Sequence, residues 1–135
     1  MNAAAGPGLV AGYEQLARFI FWPKHVYANG TPKPNAFLPD KMLELSTTRH
    51  LQLTQGELWD IGRAVGAVSH RILNARSDVI ASAFFDQKLR VVAAPTANNL
   101  NHANVIDWPL DKASQKTIAQ QIAAAAGPAL PAPPA

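Results

Sequence analysis

Thr54-Gln-Gly-Glu57 opens the one stretch of this chain whose local structure is fixed most tightly by its residues. A Thr three residues before a Glu is a capping box: the hydroxyl accepts the Glu57 amide hydrogen while the carboxylate reaches back to the Thr amide. Leu58, Ile61, Val65, Val68 and Ile72 come after it at helical spacing, which predicts a helix over 55–73 with one apolar face. Gly62 and Gly66 lie four apart near that face. Each weakens a helix relative to Ala, so their expected return is close packing against a sheet or another helix.

Prolines cut the rest into short pieces. Pro23, Gly30, Pro32, Pro34 and Pro39 break residues 23–40, which predicts a long irregular loop of the kind that often carries function. Tyr13–Trp22 reads as either a short helix or a strand, ended by Pro23. Lys41–Thr48 alternates and reads as a strand. The runs 79–85 and 89–94 are strand-like and joined by three polar residues, which predicts a hairpin. Residues 103–108 make a further strand before Pro109. Asp111 or Ser114 can cap a last helix over 112–126, stopped by Gly127. The expectation is an α+β domain over 13–126. A mostly antiparallel sheet (41–48, 79–85, 89–94, 103–108) would be covered on one face by helices 55–73 and 112–126. Residues 1–12 read as a flexible N-terminus. Residues 127–135, with four prolines, read as a disordered or extended tail outside any sheet ladder. Residues 1–8 and 128–135 are expected to be dispensable for folding.

Composition narrows the function classes. The 135 residues are 48% apolar and only 16% charged, against an average charged content of about 25%. A sparsely charged surface favours a covering partner, either a protein partner or a second copy. The absence of cysteine excludes disulfides, thiolate catalysis and Cys-zinc sites. Residues Met1–Gly8 lack a basic segment leading into an apolar core, so no signal peptide is expected. Phe19–Trp22 is too short to span a bilayer. A soluble, cytoplasmic protein without membrane contact is the expectation. The net charge of +3 comes from dispersed cations, whereas nucleic-acid binding usually needs a cluster.

Two polar clusters, far apart in sequence, hold the candidate chemistry: His25–Gly30 with Asn35–Phe37 and Leu45–Arg49, and Asn98–Ala103. His25 and His102 could act as general acid or base. Arg49 could hold a phosphate or carboxylate, and Ser46 could orient a substrate. The four would meet only if strands 41–48 and 103–108 are neighbours. Each also has a plain structural reading, such as a loop imidazole bonded to a backbone carbonyl. His50 is expected to point elsewhere, and His70 to serve the helix end. His-Glu-x-x-His, calcium loops, phosphate loops and nucleophile elbows are absent from the sequence. Neither a metal nor a cofactor is expected.

The motifs His-Val-Tyr-Ala-Asn-Gly (25–30), Asn-Ala-Phe (35–37), Leu-Ser-Thr-Thr-Arg (45–49) and Asn-Leu-Asn-His-Ala-Asn-Val (99–105) resemble a pattern in a family of small bacterial proteins of no assigned activity. The similarity covers about residues 18–125. It implies no catalytic role, and it picks out the same positions: His25, Phe37, Ser46, Arg49 and His102. The reading is a small binding or accessory subunit of a bacterial protein complex. The alternatives are an enzyme acting on a phosphate-containing or nucleotide substrate through His25, Ser46, Arg49 and His102, or a nucleic-acid-binding protein.

Overall fold

The computed structural model describes residues 9–135; the expectations for residues 1–8 lie outside the described residues. Among the described residues six antiparallel strands form one sheet: β1 (Gln15–Ile20), β2 (Leu45–Arg49), β3 (Ala75–Ile80), β4 (Arg90–Ala93), β5 (His102–Ile106) and β6 (Leu130–Pro131). Their spatial order is β4-β5-β2-β1-β3-β6. Three α-helices join them: α1 (Gln55–Val68), α2 (Ala81–Phe85) and α3 (Lys112–Ala125). The architecture is the expected α+β layer. The helices, however, lie on both faces. Leu16 and Ile20 of β1 pack in one cluster with Phe84 of α2 and with Ala119 and Ile122 of α3. The alternate residues Ala17 and Phe19 pack with Leu58 and Trp59 of α1. Successive strand residues point to opposite faces, so α1 lies across the sheet from α2 and α3.

The capping box of α1 is present in both directions, Glu57 N–H to Thr54 Oγ1 at 3.1 Å and Thr54 N–H to Glu57 Oε1 at 2.8 Å. The helix stops at Val68, earlier than its apolar period suggests. His70 takes a left-handed backbone (φ 56°), and the Arg71 and His70 amides donate to Gly66 O and Ala67 O. This is the Schellman end that Gly usually provides. Val68 and Ile72 therefore stay exposed. The buried face is Leu58, Trp59, Gly62 and Gly66, with Ile61 and Val65 half-buried. The glycines pack as anticipated. A Cβ on Gly62 would lie 2.7 Å from Phe19 Cε1, and one on Gly66 would lie 2.6 Å from the Arg71 carbonyl oxygen.

The expected 79–85/89–94 hairpin does not form. The strand is 75–80, residues 81–85 are helical, and β4 pairs with β5 at the far side of the sheet from β3. In the run 79–85 every residue is apolar or small, so period alone cannot separate strand from helix. Ala81 and Phe84 are both fully buried, the three-residue spacing of a helical turn. The tail is also placed differently from expectation. Leu130 and Pro131 pair with Arg76 and Ala75, Ser77 Oγ donates to the Gly127 carbonyl at 2.8 Å, and Ala129 is buried. A proline can end an edge strand, where no ladder donor is needed. Among the described residues no helix is long and apolar enough to cross a membrane.

Candidate binding cleft

β1 and β2 pair only at Leu16↔Arg49 and Ala17↔Thr48. Past those two rungs the strands make no further ladder pair. Arg18 fills part of the gap, its Nε donating to Ala36 O at 2.7 Å and its Nη1 to Ser46 O at 3.0 Å. The Ser46 carbonyl thus receives from a side chain the hydrogen bond that a neighbouring strand would give. A cleft of about 480 Å³ opens here. Its floor is Ser46, Thr48 and His102, brought together because β2 pairs with β5 (Ser46↔Asn104, Thr48↔His102). One wall is the C-terminal end of α1 and the turn beyond it, with Val65, Val68, Ser69 and Arg71. Asn98 and Asn99 of the Asn-rich loop and Asp40 and Glu44 of the turn before β2 complete the lining. α1 covers β1 and β3 but not this side of β2 and β5, which leaves the cleft uncovered.

Several polar groups in the cleft are set by a second contact. Asn99 donates to Thr48 Oγ1 at 2.7 Å and accepts from the Asn101 amide, while Asn101 donates to the Arg49 carbonyl. The Asn-rich loop is thereby fastened to β2. His102 Nδ1 lies 2.8 Å from the Ala94 carbonyl oxygen. A carbonyl only accepts, so Nδ1 carries the proton and Nε2 of the neutral ring has a free lone pair. Arg71 donates to Ser69 Oγ at 3.1 Å, with its guanidinium 4.4 Å above the Phe21 ring. Burial first, then the charge of Arg71, lowers Arg18 to about 10, against the opposing pull of Asp40. It remains a cation at neutral pH.

Of the four residues singled out by sequence, two meet in this cleft and two do not. Ser46 and His102 line it. Arg49 lies on the opposite face of β2, buried against Glu14 (Nε to Oε1 and Nη2 to Oε2, both 2.8 Å) and donating to the Leu9 carbonyl. It cannot hold a ligand beside Ser46, because residues 46 and 49 differ by an odd number of steps along a strand. His25 sits in a 3-10 turn (Pro23–His25) away from the cleft lining, its carbonyl accepting the Lys33 amide. Burial, then Arg18, Lys24 and Lys33, lower its pKa, so the imidazole is neutral at pH 7. Phe37 is fully buried core. His50 points to Asp78, with Nε2 2.9 Å from Oδ1.

Sequence reasoning missed Arg18, Arg71 and the Phe19/Phe21 wall. The available signal was a lone Arg inside the apolar run 16–22 and another just past the capped helix. Four other arginines are accounted for within the chain: Arg49 and Arg76 are buried, and Arg63 and Arg90 pair with Asp60 and Asp107. Among the described residues no group of three or more His, Asp or Glu side chains could hold a metal ion. Comparison with family models, curated proteins and solved structures finds no match for this chain.

Proposed function

We propose that this protein works by binding, and that the cleft where β1 and β2 part is its site for a small polar ligand. One observation carries the reading. Polar groups from four separate segments converge on one cavity with hydrogen-bonding capacity that the chain itself leaves unused: Arg18 Nη2, both terminal nitrogens of Arg71, Ser46 Oγ and His102 Nε2 make no hydrogen bond among the described residues. Apolar Phe19, Phe21, Val65 and Val68 stand beside them, the mixture that small-molecule sites use. The wider setting is an accessory subunit of a bacterial complex, in keeping with the motif resemblance and with exposed Met42, Ile72, Leu100 and Leu110.

A fragment screen read out by backbone amide shifts tests this. Binding fragments should move Ser46, Thr48, Asn98 and His102 together, and Ser46→Trp, which fills the cleft, should abolish the response. Hits that map elsewhere and survive Ser46→Trp would sink the reading.

A second reading is supported by the His102 tautomer. An imidazole held through Nδ1, with Nε2 unbonded in a cleft that Ser46 also lines, has the form of a general base. The two readings separate on turnover. A binding protein shows none in the wild type, whereas an enzyme on a phosphate-containing substrate shows turnover that His102→Ala removes while binding is kept within a few-fold.

A further inference from the structure

We infer that Arg18 and Arg71 make one end of the cleft a subsite for the dianionic phosphate group of a small organic phosphate. The inference rests on the reading of the cleft as a ligand site and adds the class of ligand.

The two guanidiniums line the same cavity. Among the described residues neither stands within ion-pair distance of a carboxylate, unlike Arg49, Arg63, Arg76 and Arg90. Arg18 spends Nε and Nη1 on backbone carbonyls and keeps Nη2. Arg71 spends Nε on Ser69 and keeps both terminal nitrogens. Like charges facing one space repel, and the charge of Arg71 is felt at Arg18. A ligand of charge −2 relieves that repulsion, and its gain scales with its charge, so phosphate is favoured over a carboxylate. Both forks are already held: Arg18 by Ala36 and Ser46, Arg71 by Ser69 and the Phe21 ring. Arg18 is half-buried and Arg71 exposed, so the side-chain entropy lost on binding is reduced mainly at Arg18; planar guanidinium donors match phosphate oxygens. Asp40 and Glu44 on the rim oppose the anion in part. Asp40 Oδ1 is occupied, accepting the Met42 and Glu44 amides at 2.9 and 3.1 Å. Phe19, Phe21, Val65 and Val68 offer an apolar wall to the organic body, and Asn98, Ser46 and His102 offer it hydrogen bonds.

The test uses three probes on the full chain: phenyl phosphate, benzoate and benzyl alcohol, each titrated while the Ser46 and His102 amides are monitored by NMR. Phenyl phosphate should bind tightest, benzoate less, benzyl alcohol least. Arg71→Gln should weaken phenyl phosphate by about tenfold, the worth of one charge-assisted hydrogen bond, and leave benzyl alcohol unchanged. Phenyl phosphate that fails to bind, or binds no tighter than benzoate or benzyl alcohol, overturns the inference whether or not the variant folds. An unchanged phenyl phosphate affinity in folded Arg71→Gln overturns it too. If benzyl alcohol and benzoate still move Ser46 and His102 in those cases, the cleft survives as a ligand site and only the phosphate class is lost. If none of the probes and no screened fragment moves those amides, both readings fall.

Discussion

Glu14 and Arg49 form a buried bidentate pair, Oε1 to Nε and Oε2 to Nη2 at 2.8 Å each, on the side of β2 away from Ser46. Glu14 Oε2 also accepts the Ala11 amide, so the pair ties the segment before β1 to β2. Removing one partner strands a charge out of water. Glu14→Gln and Arg49→Met should each cost about 3–5 kcal/mol in denaturant unfolding. The double replacement Glu14→Leu with Arg49→Met should recover much of that loss, because a well-packed apolar pair replaces a desolvated ionic one. Ligand binding in the cleft should be unaffected in whichever variants stay folded.

The α1 glycines are set by contact. Gly62→Ala gains about 1 kcal/mol of helix propensity, but its Cβ meets Phe19 and Leu73 side chains at 2.7 and 2.8 Å. Side chains can shift, so the net cost should be about 1–2 kcal/mol. Gly66→Ala meets the Arg71 carbonyl at 2.6 Å, and backbone at a helix end gives way less. It should cost more than Gly62→Ala, and thermal melts of the two variants check the order.

Much of the fold can be read from residues whose local and global preferences agree. The Thr54/Glu57 box is present as read, Asp111 rather than Ser114 caps the last helix, and the glycine pair marks a close approach, at Gly62 to Phe19 of the sheet. The failures occur where tertiary context decides. β3 carries Arg76, Ser77 and Asp78, which look like loop residues, yet Arg76 and Ser77 are buried. Asp78 and Gln55 accept from Arg76 Nε and Nη2 and the Trp59 ring lies against its guanidinium, while Nη1 is buried without a hydrogen bond among the described residues; Ser77 donates to the Gly127 carbonyl. The candidate site divides in the same way. Ser46 and His102 are found once β2 and β5 are neighbours. Strand parity then sends Arg49 to the other face, and Arg18 enters because β1 and β2 part after two rungs, a feature of register that no local pattern encodes.

Asp78 supplies a pH signature. Burial pushes its carboxyl up, but hydrogen bonds from His50 and Arg76, and their charges, outweigh that and hold it below the ordinary aspartate value. A depressed folded pKa contributes stability above the unfolded value that is lost as pH falls through the folded one. Wild-type unfolding free energy should therefore fall below about pH 4. Asp78→Asn should lack that part of the acid loss. It should also be less stable at pH 7 by about 3 kcal/mol, because Arg76, 2% exposed, loses its carboxylate.

The C-terminal segment should matter for stability. Deleting residues 128–135 removes β6, the buried Ala129, the Ala132 contact with the α1 side of the core and the Arg63 bond to Pro133 O. β3 would become a bare edge. A drop of roughly 5 °C or more in Tm is expected, and an unchanged Tm would mean the segment contributes no net stability.

Because the chain contains no cysteine, a single introduced thiol reports one place. Ser46→Cys and Asn98→Cys put a thiol in the cleft, and Leu110→Cys puts one on an exposed loop outside its lining. The decisive measurement is the alkylation rate of each variant with and without saturating fragments that bind the wild type. The cleft account predicts slowing of at least about tenfold at the two cleft positions, in proportion to occupancy, with the rate at position 110 unchanged. Bound fragments that leave both cleft thiols as reactive as before would contradict it.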